Sequence, residues 1–186
     1  MRVCIPMEIK KTPFEGLVEI LPDVFTDARG TFFENYNYEK LKSMHIPLKF
    51  PLEFQSRSKK GVIRGLHFQK YPSAQGKLVR VIRGKALDVT VDIREHSPTN
   101  GKWFSTILSG ENNKMLWIPA GFAHGFLALE DDTIMHYKAT SPYNKESEGG
   151  IIWNDSELAI IWGIKNPILS ERDKKHPLFK EIGALF

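Results

Sequence analysis

The stretch Gly61-Val62-Ile63-Arg64-Gly65-Leu66-His67-Phe68-Gln69-Lys70-Tyr71-Pro72-Ser73-Ala74-Gln75-Gly76-Lys77 sets the pattern of this chain. Val62, Ile63, Leu66 and Phe68 are the apolar and β-branched residues of a buried strand. Arg64 and His67 are three apart, so a regular pleat would send them to opposite faces. Gly65 between them offers a bulge that would turn both the same way. Tyr71-Pro72-Ser73 reads as a turn, and Lys77 opens the next apolar run, Leu78–Ile82. An arginine, a histidine and a lysine gathered at one cleft would make an anion site beside a base. A histidine in a strand is by itself more often a hydrogen-bonded core residue, so this stretch alone does not establish a function.

Outward from it, short apolar runs recur at Ala86–Ile93, Trp103–Leu108, Met115–Ile118, Gly125–Leu129 and Ile134–Ala139, separated by Gly, Pro, Asn and Asp clusters. Such spacing predicts a sandwich or barrel. In Ala86–Ile93 the apolar Leu87, Val89, Val91 and Ile93 alternate with Asp88, Thr90 and Asp92, a set suited to a polar barrel interior. Before Gly61 the pattern is looser. One strand and a turn are expected within 14–25, a turn at Asp27-Ala28-Arg29-Gly30, a strand over 31–36, a short helix over 38–45 ended by Pro47, and an extended segment over 49–58. The tail from Leu169 is charged and reads as part-helical. No repeat or linker divides the 186 residues, so one domain is expected, with the tail from about residue 165 packed on it.

Hydrophobic residues make up 41% of the chain and charged ones 26%, which suits a globular protein with a sizeable core. The net charge of +4 is small and scattered, so no nucleic-acid partner is expected, while a small acidic substrate such as a sugar nucleotide fits. Cys4 is the only cysteine, which excludes an intrachain disulfide and favours a reducing compartment. Met1 to Lys11 lacks the apolar core of a signal peptide, and no segment reaches membrane-spanning length, so a cytoplasmic location is expected.

Pro119-Ala120-Gly121-Phe122-Ala123-His124 matches the P-x-G-x-x-H half of the cupin signature. Metal-binding cupins carry H-x-H and a later Glu in the other half. Here His67-Phe68-Gln69 stands there, with no suitably spaced Glu. Two histidines fall short of the three protein ligands that a catalytic metal normally has, so no metal is expected. Either histidine alone is compatible with a purely structural role. As a base, His67 would need a carboxylate to orient it. Asp173 is far along the chain, and spacing alone does not bring it close. Tyr137 and Tyr143 flank a strand end, where aromatics ordinarily pack.

These motifs occur in order: Asp27-x-Arg29-Gly30-x-Phe32-x-Glu34; Gly61 to Gln69; Gln75-Gly76-Lys77-Leu78-Val79; Asp92-Ile93-Arg94-x-x-Ser97-Pro98-Thr99; Trp117 to Phe126; Tyr137-Lys138; Trp153-Asn154-Asp155; and Leu169-Ser170-x-x-Asp173. With these the chain resembles the dTDP-4-dehydrorhamnose 3,5-epimerase family from about Phe14 to Pro177. The resemblance implies a mainly all-β cupin jelly roll with a few short helices, no metal and no cofactor, acting in dTDP-L-rhamnose biosynthesis. It implies a homodimer with exchanged N-terminal strands and a dTDP-sugar substrate. It makes His67 the general base paired with Asp173, Tyr137 the proton donor on the opposite face, and Lys77 the cation at the enolate oxygen. Arg64 and His124 are implied substrate contacts, as are Arg29, Glu34, Glu148 and Arg172, and Tyr143 resembles the residue that stacks on thymine. Just before Ser56 the family carries Gln-x-Asn, where this chain has Leu52-Glu53-Phe54. That departure is expected to fall on nucleotide contacts and to leave the acid–base set untouched. A C3-only epimerase and a non-catalytic nucleotide-sugar-binding cupin remain the alternatives.

Overall fold

A computed structural model describes residues 7–43, 45–47 and 49–186; Cys4 and Met44, the latter within the predicted helix, lie outside the described residues. The strands are β1 (Met7–Lys11), β2 (Val18–Pro22), β3 (Phe25–Asp27), β4 (Gly30–Phe32), β5 (Leu52–Ser58), β6 (Ile63–Gln69), β7 (Lys77–Arg83), β8 (Lys85–Asp92), β9 (Trp103–Ser109), β10 (Met115–Ile118), β11 (Phe122–Ala128), β12 (Thr133–Ala139) and β13 (Glu148–Gly150). Helix α1 spans Tyr38–Ser43, and two 3₁₀ turns cover Asp173–Lys175 and Phe179–Glu181. One sheet has the order β1-β2-β10-β7-β12-β5, the other β13-β6-β11-β8-β9, and β3-β4 form a separate hairpin. All the strand pairings are antiparallel. The all-β jelly-roll expectation holds.

Three apolar layers follow from the alternation within the strands. Val79, Val81, Leu116, Phe126 and Met135 fill the space between the sheets. Ile20, Leu78, Met115 and Trp117 face outward and pack under Leu41 of α1 and Ile46. On the far side, Val89, Val91 and Leu127 are covered by Ile151, Leu158 and Trp162 and by the tail as far as Phe186. Asp155 fixes this cover, accepting Leu158 N at 2.9 Å and Phe179 N at 2.8 Å. The alternation in β8 therefore has apolar side chains on the tail side. Asp88 and Thr90, on the other face, are fully buried between the sheets.

Two predicted elements are shorter than expected. The strand over 31–36 ends at Phe32, because its partner β3 begins at Phe25 and Phe25↔Phe32 is the last pair; Asn37 then caps α1, its Oδ1 accepting Lys40 N at 3.2 Å. The helix, described over Tyr38–Ser43, has ended by His45. His45 takes a left-handed φ of 56°, and Ile46 N donates back to Leu41 O at 3.1 Å, ahead of Pro47. The β3–β4 turn falls where Asp27-Ala28-Arg29-Gly30 predicts it, with Arg29 N bonded to Asp27 Oδ1 at 2.8 Å.

Candidate active site

The bulge predicted at Gly65 is present. β11 pairs with β6 at His124↔His67 and at Phe126↔Arg64, so β6 carries one residue more than its partner between these points. Gly65 has φ +126°, and a Cβ there would stand 2.5 Å from Gly125 Cα. A Cβ on Gly125 would in turn stand 2.8 Å from Arg64 O. The two glycines let the backbones close, and the extra residue turns Arg64 and His67 into the same cavity of about 500 Å³. The cavity opens between the sheets. Lys77 (β7) and Tyr137 (β12) come from the six-stranded sheet, and His67 (β6) and His124 (β11) from the five-stranded one.

Asp173 reaches the cavity from the tail. Its 3₁₀ turn places Oδ1 2.7 Å from His67 Nε2, with Asp173 N bonded to Ser170 Oγ at 3.1 Å. Burial alone would raise the Asp173 pKa. Contacts with His176, 3.4 Å away, and with His67 outweigh it and hold the carboxyl well below the usual range. Burial lowers the His67 pKa more than the Asp173 charge raises it, so its imidazole is neutral near pH 7. Among the described residues, His67 Nδ1 has no hydrogen bond. Lys77 Nζ donates to His67 O at 3.4 Å, and burial pulls its pKa down to about 8 against the charges of Asp88 and Glu148. Burial raises Tyr137 well above an ordinary phenol, so it keeps its proton.

His124 is fixed by Asp88, with Nε2 to Oδ2 at 2.8 Å. The Tyr137 ring lies edge-on to His124 at 6.2 Å and stacks flat on Phe54 at 4.5 Å. The rim is a charged chain. Tyr143 Oη donates to Glu148 Oε2 at 3.0 Å, and Arg172 Nη1 donates to both Glu148 oxygens at 2.7 and 2.8 Å. Of the sequence-predicted residues, the cavity gathers His67, Asp173, Tyr137, Lys77, Arg64, His124, Tyr143, Glu148 and Arg172. Arg29 and Glu34 do not line it. Arg29 sits on the exposed β3–β4 hairpin paired with Asp27, and Glu34 is tied to Lys40 at 2.6 Å.

Sequence reasoning named neither Asp88 nor Phe54 as a site residue. Asp88 was readable as a polar position in the alternation of β8, but not as the partner of His124. The expectation that the Leu52-Glu53-Phe54 departure leaves the acid–base set untouched is corrected: Phe54 lies directly opposite Tyr137 in the β5–β12 register.

The donor set does not suit the metal of metal-binding cupins. Gln69 Nε2 donates to Ser73 O at 2.9 Å and Pro142 O at 3.1 Å, and its Oε1 accepts Asn144 N at 2.8 Å. It fastens the loop that carries Tyr143. His67 and His124 each already hold a carboxylate. His67, Asp173 and His176 do bring donor atoms within 4.8 Å of one another, but Arg172 Nη2 lies 3.5 Å from His67 Nε2 and sets a positive charge against a cation there.

Residues 11–181 match the family model described as dTDP-4-dehydrorhamnose 3,5-epimerase. The chain belongs to the dTDP-4-dehydrorhamnose 3,5-epimerase family. The Shigella flexneri dTDP-4-dehydrorhamnose 3,5-epimerase is 45% identical over 168 residues, which cover 90% of this chain and 93% of that one. The Legionella pneumophila epimerase, solved in complex with dTDP-4-keto-L-rhamnose, superposes with a TM-score of 0.90 at 42% identity and covers 96% of each chain. The Bacillus anthracis epimerase, with TDP and PPi bound, gives 0.91 at 43% identity, covering 93% of this chain and 99% of that one. Membership makes this chain an isomerase with a cupin-like fold. It also gives the His67, Lys77 and Tyr137 cavity a chemistry to account for.

Proposed function

We propose that this cavity inverts C3 and C5 of dTDP-4-keto-6-deoxy-D-glucose, without metal or cofactor, on the route to dTDP-L-rhamnose. The observation that carries the reading is the placement of a carboxylate-backed imidazole and a buried phenol on facing sheets. The C4 ketone acidifies the protons at C3 and C5. His67, neutral and with Nε2 held by Asp173, takes one of them at Nδ1. The electron pair moves to O4, where the Lys77 charge meets it as it develops. Tyr137 returns a proton from the opposite wall, and the carbon is inverted. Arg64 and His124 contact the sugar, Arg172 and Glu148 line the approach, and Tyr143 stacks on the base.

We further infer a homodimer with exchanged N-terminal strands. Arg29 and Glu34 reach no part of their own cavity, while Phe25 and Phe32 on the same hairpin are exposed. A second copy would let that hairpin complete a neighbouring site. Within one chain, β1 pairs with β2 over five residues. No helix among the described residues is long and apolar enough to cross a membrane, and a nucleotide-sugar substrate suits the cytoplasm, where we place the reaction.

Turnover in deuterated water tests the reading. Deuterium at both C3 and C5 of the product is expected. Label at C3 alone would reduce the activity to a single inversion, and no label with intact nucleotide binding would make the chain a binding module. Exhaustive chelation should leave the rate unchanged. Loss on chelation with recovery on adding metal would overturn the metal-free mechanism.

A further inference from the structure

The proposed acid has one flat neighbour. Phe54 and Tyr137 are direct cross-strand partners, and their rings stack with centroids 4.5 Å apart and planes 10° apart. The edge of Tyr137 meets His124 at 73°, and Asp88 holds His124 in turn. The phenol is thus held on one face by Phe54 and on one edge by an anchored imidazole. Without the stack, the ring loses its contact on the face turned to Phe54 and keeps only the edge contact with His124.

We propose that Phe54 is a positioning residue for the acid. It holds the plane of the Tyr137 ring so that Oη meets the enolate, and it shields that ring from water. The proposal rests on Tyr137 being the acid.

Two observations separate this role from plain packing. Phe54 keeps 40% of its surface exposed and lines the cavity, whereas a core phenylalanine would be buried. It also sits on β5, the edge strand of its sheet, whose pairing with β12 runs from Leu52↔Ala139 to Ser58↔Thr133 and does not depend on one ring. The need for a fixed plane comes from the chemistry. Proton transfer requires donor and acceptor atoms about 2.6–3.2 Å apart. A displacement of roughly 1 Å costs on the order of 10²-fold in rate. The base has its own orienting group in Asp173. A side-chain hydrogen bond with Ser56 can hold the Tyr137 hydroxyl but not the plane of its ring, which the contacts with Phe54 and His124 set.

The test compares wild type, Phe54→Leu, Phe54→Tyr and Tyr137→Phe in deuterated water, measuring C3 exchange and formation of the inverted sugar separately. Phe54→Leu should hold exchange within about 2-fold while inversion falls roughly 10-fold, and Phe54→Tyr, which keeps a flat ring, should recover inversion. If Phe54→Leu lowers both processes in step, or neither, while Tyr137→Phe separates them, the role of Phe54 is overturned and the acid stands. If Tyr137→Phe does not separate them, the acid itself is lost, and this inference with it. Thermal melts accompany each variant. Should Phe54→Leu not fold, Phe54→Met carries the same comparison, and failure of both to fold would make Phe54 structural and overturn the proposal.

Discussion

His67, Lys77 and Tyr137 have pKa values shifted in directions that suit the roles proposed for them, and burial is the largest cause in each. The proposed base must be neutral, and the His67 pKa lies below the ordinary 6.5, so the rate should persist below that pH and fall only as His67 protonates. Lys77 must be charged, and with a pKa of about 8 it loses its charge as pH rises past that point. A bell-shaped kcat profile with its basic limb near pH 8 is therefore expected. Lys77→Arg should move that limb to higher pH, and an unmoved limb would assign it to another group. In the resting enzyme Tyr137 holds its proton across that pH range, because burial raises its pKa. His67→Ala should lose about 10²–10⁴-fold in rate with nucleotide binding intact, the usual contribution of a positioned proton-transfer group. A near-wild-type rate would remove His67 from its role.

At the scale of elements, the site depends on one bulge and one fastened loop. Gly65 combines a φ of +126° with backbone 2.5 Å from any Cβ, so Gly65→Ala must distort the β6–β11 pairing. It should destabilise the fold by about 1–3 kcal/mol and reduce the rate by returning Arg64 and His67 toward opposite faces. Denaturant unfolding and kcat together would check this, and a stable, fully active variant would contradict the bulge argument. Gln69 pins the loop bearing Tyr143 through two hydrogen bonds, to Pro142 O and from Asn144 N, and ties it to Ser73 through a third. Tyr143→Ala should weaken dTDP binding by about 1–3 kcal/mol, by analogy with aromatic stacking on bases elsewhere. Gln69→Ala should weaken it too, by loosening the loop, as calorimetric titration with dTDP would show. The bulge was legible because a glycine stood between two polar residues three apart. The structural use of Gln69 was not, because its partners at Ser73, Pro142 and Asn144 lie on loops whose approach only the folded chain defines.

For the whole molecule, the strands after Gly61 were legible because their apolar runs and turn residues repeat. The earlier segment was less so, since Asn37 starts the helix and the turn at His45 closes it through local hydrogen bonds that hydrophobic patterning does not register. The His67–Asp173 contact spans 106 residues and follows from the tail folding back over the five-stranded sheet. Only the resemblance named it beforehand. The stack of Phe54 on Tyr137 needed the β5–β12 register. The tail contact also has a consequence for stability. His67 has a lowered folded pKa, so the unfolded chain takes up its proton first as pH falls below 6.5. Asp173 is likewise depressed, so its contribution is present above the ordinary 3.8 and is lost as pH falls below that value. The melting temperature should therefore drop in acid, and Asp173→Asn should flatten the part of that fall below pH 4.

The most direct test of the central claim, that base and acid act from opposite walls, is Tyr137→Phe in deuterated water. The variant keeps the ring and its stack on Phe54 and deletes only the proton. Exchange at C3 through His67 should continue while formation of the inverted sugar falls much further. If exchange and inversion fall in step, Tyr137 helps to form the enolate rather than to reprotonate it, and the opposite-wall assignment is contradicted.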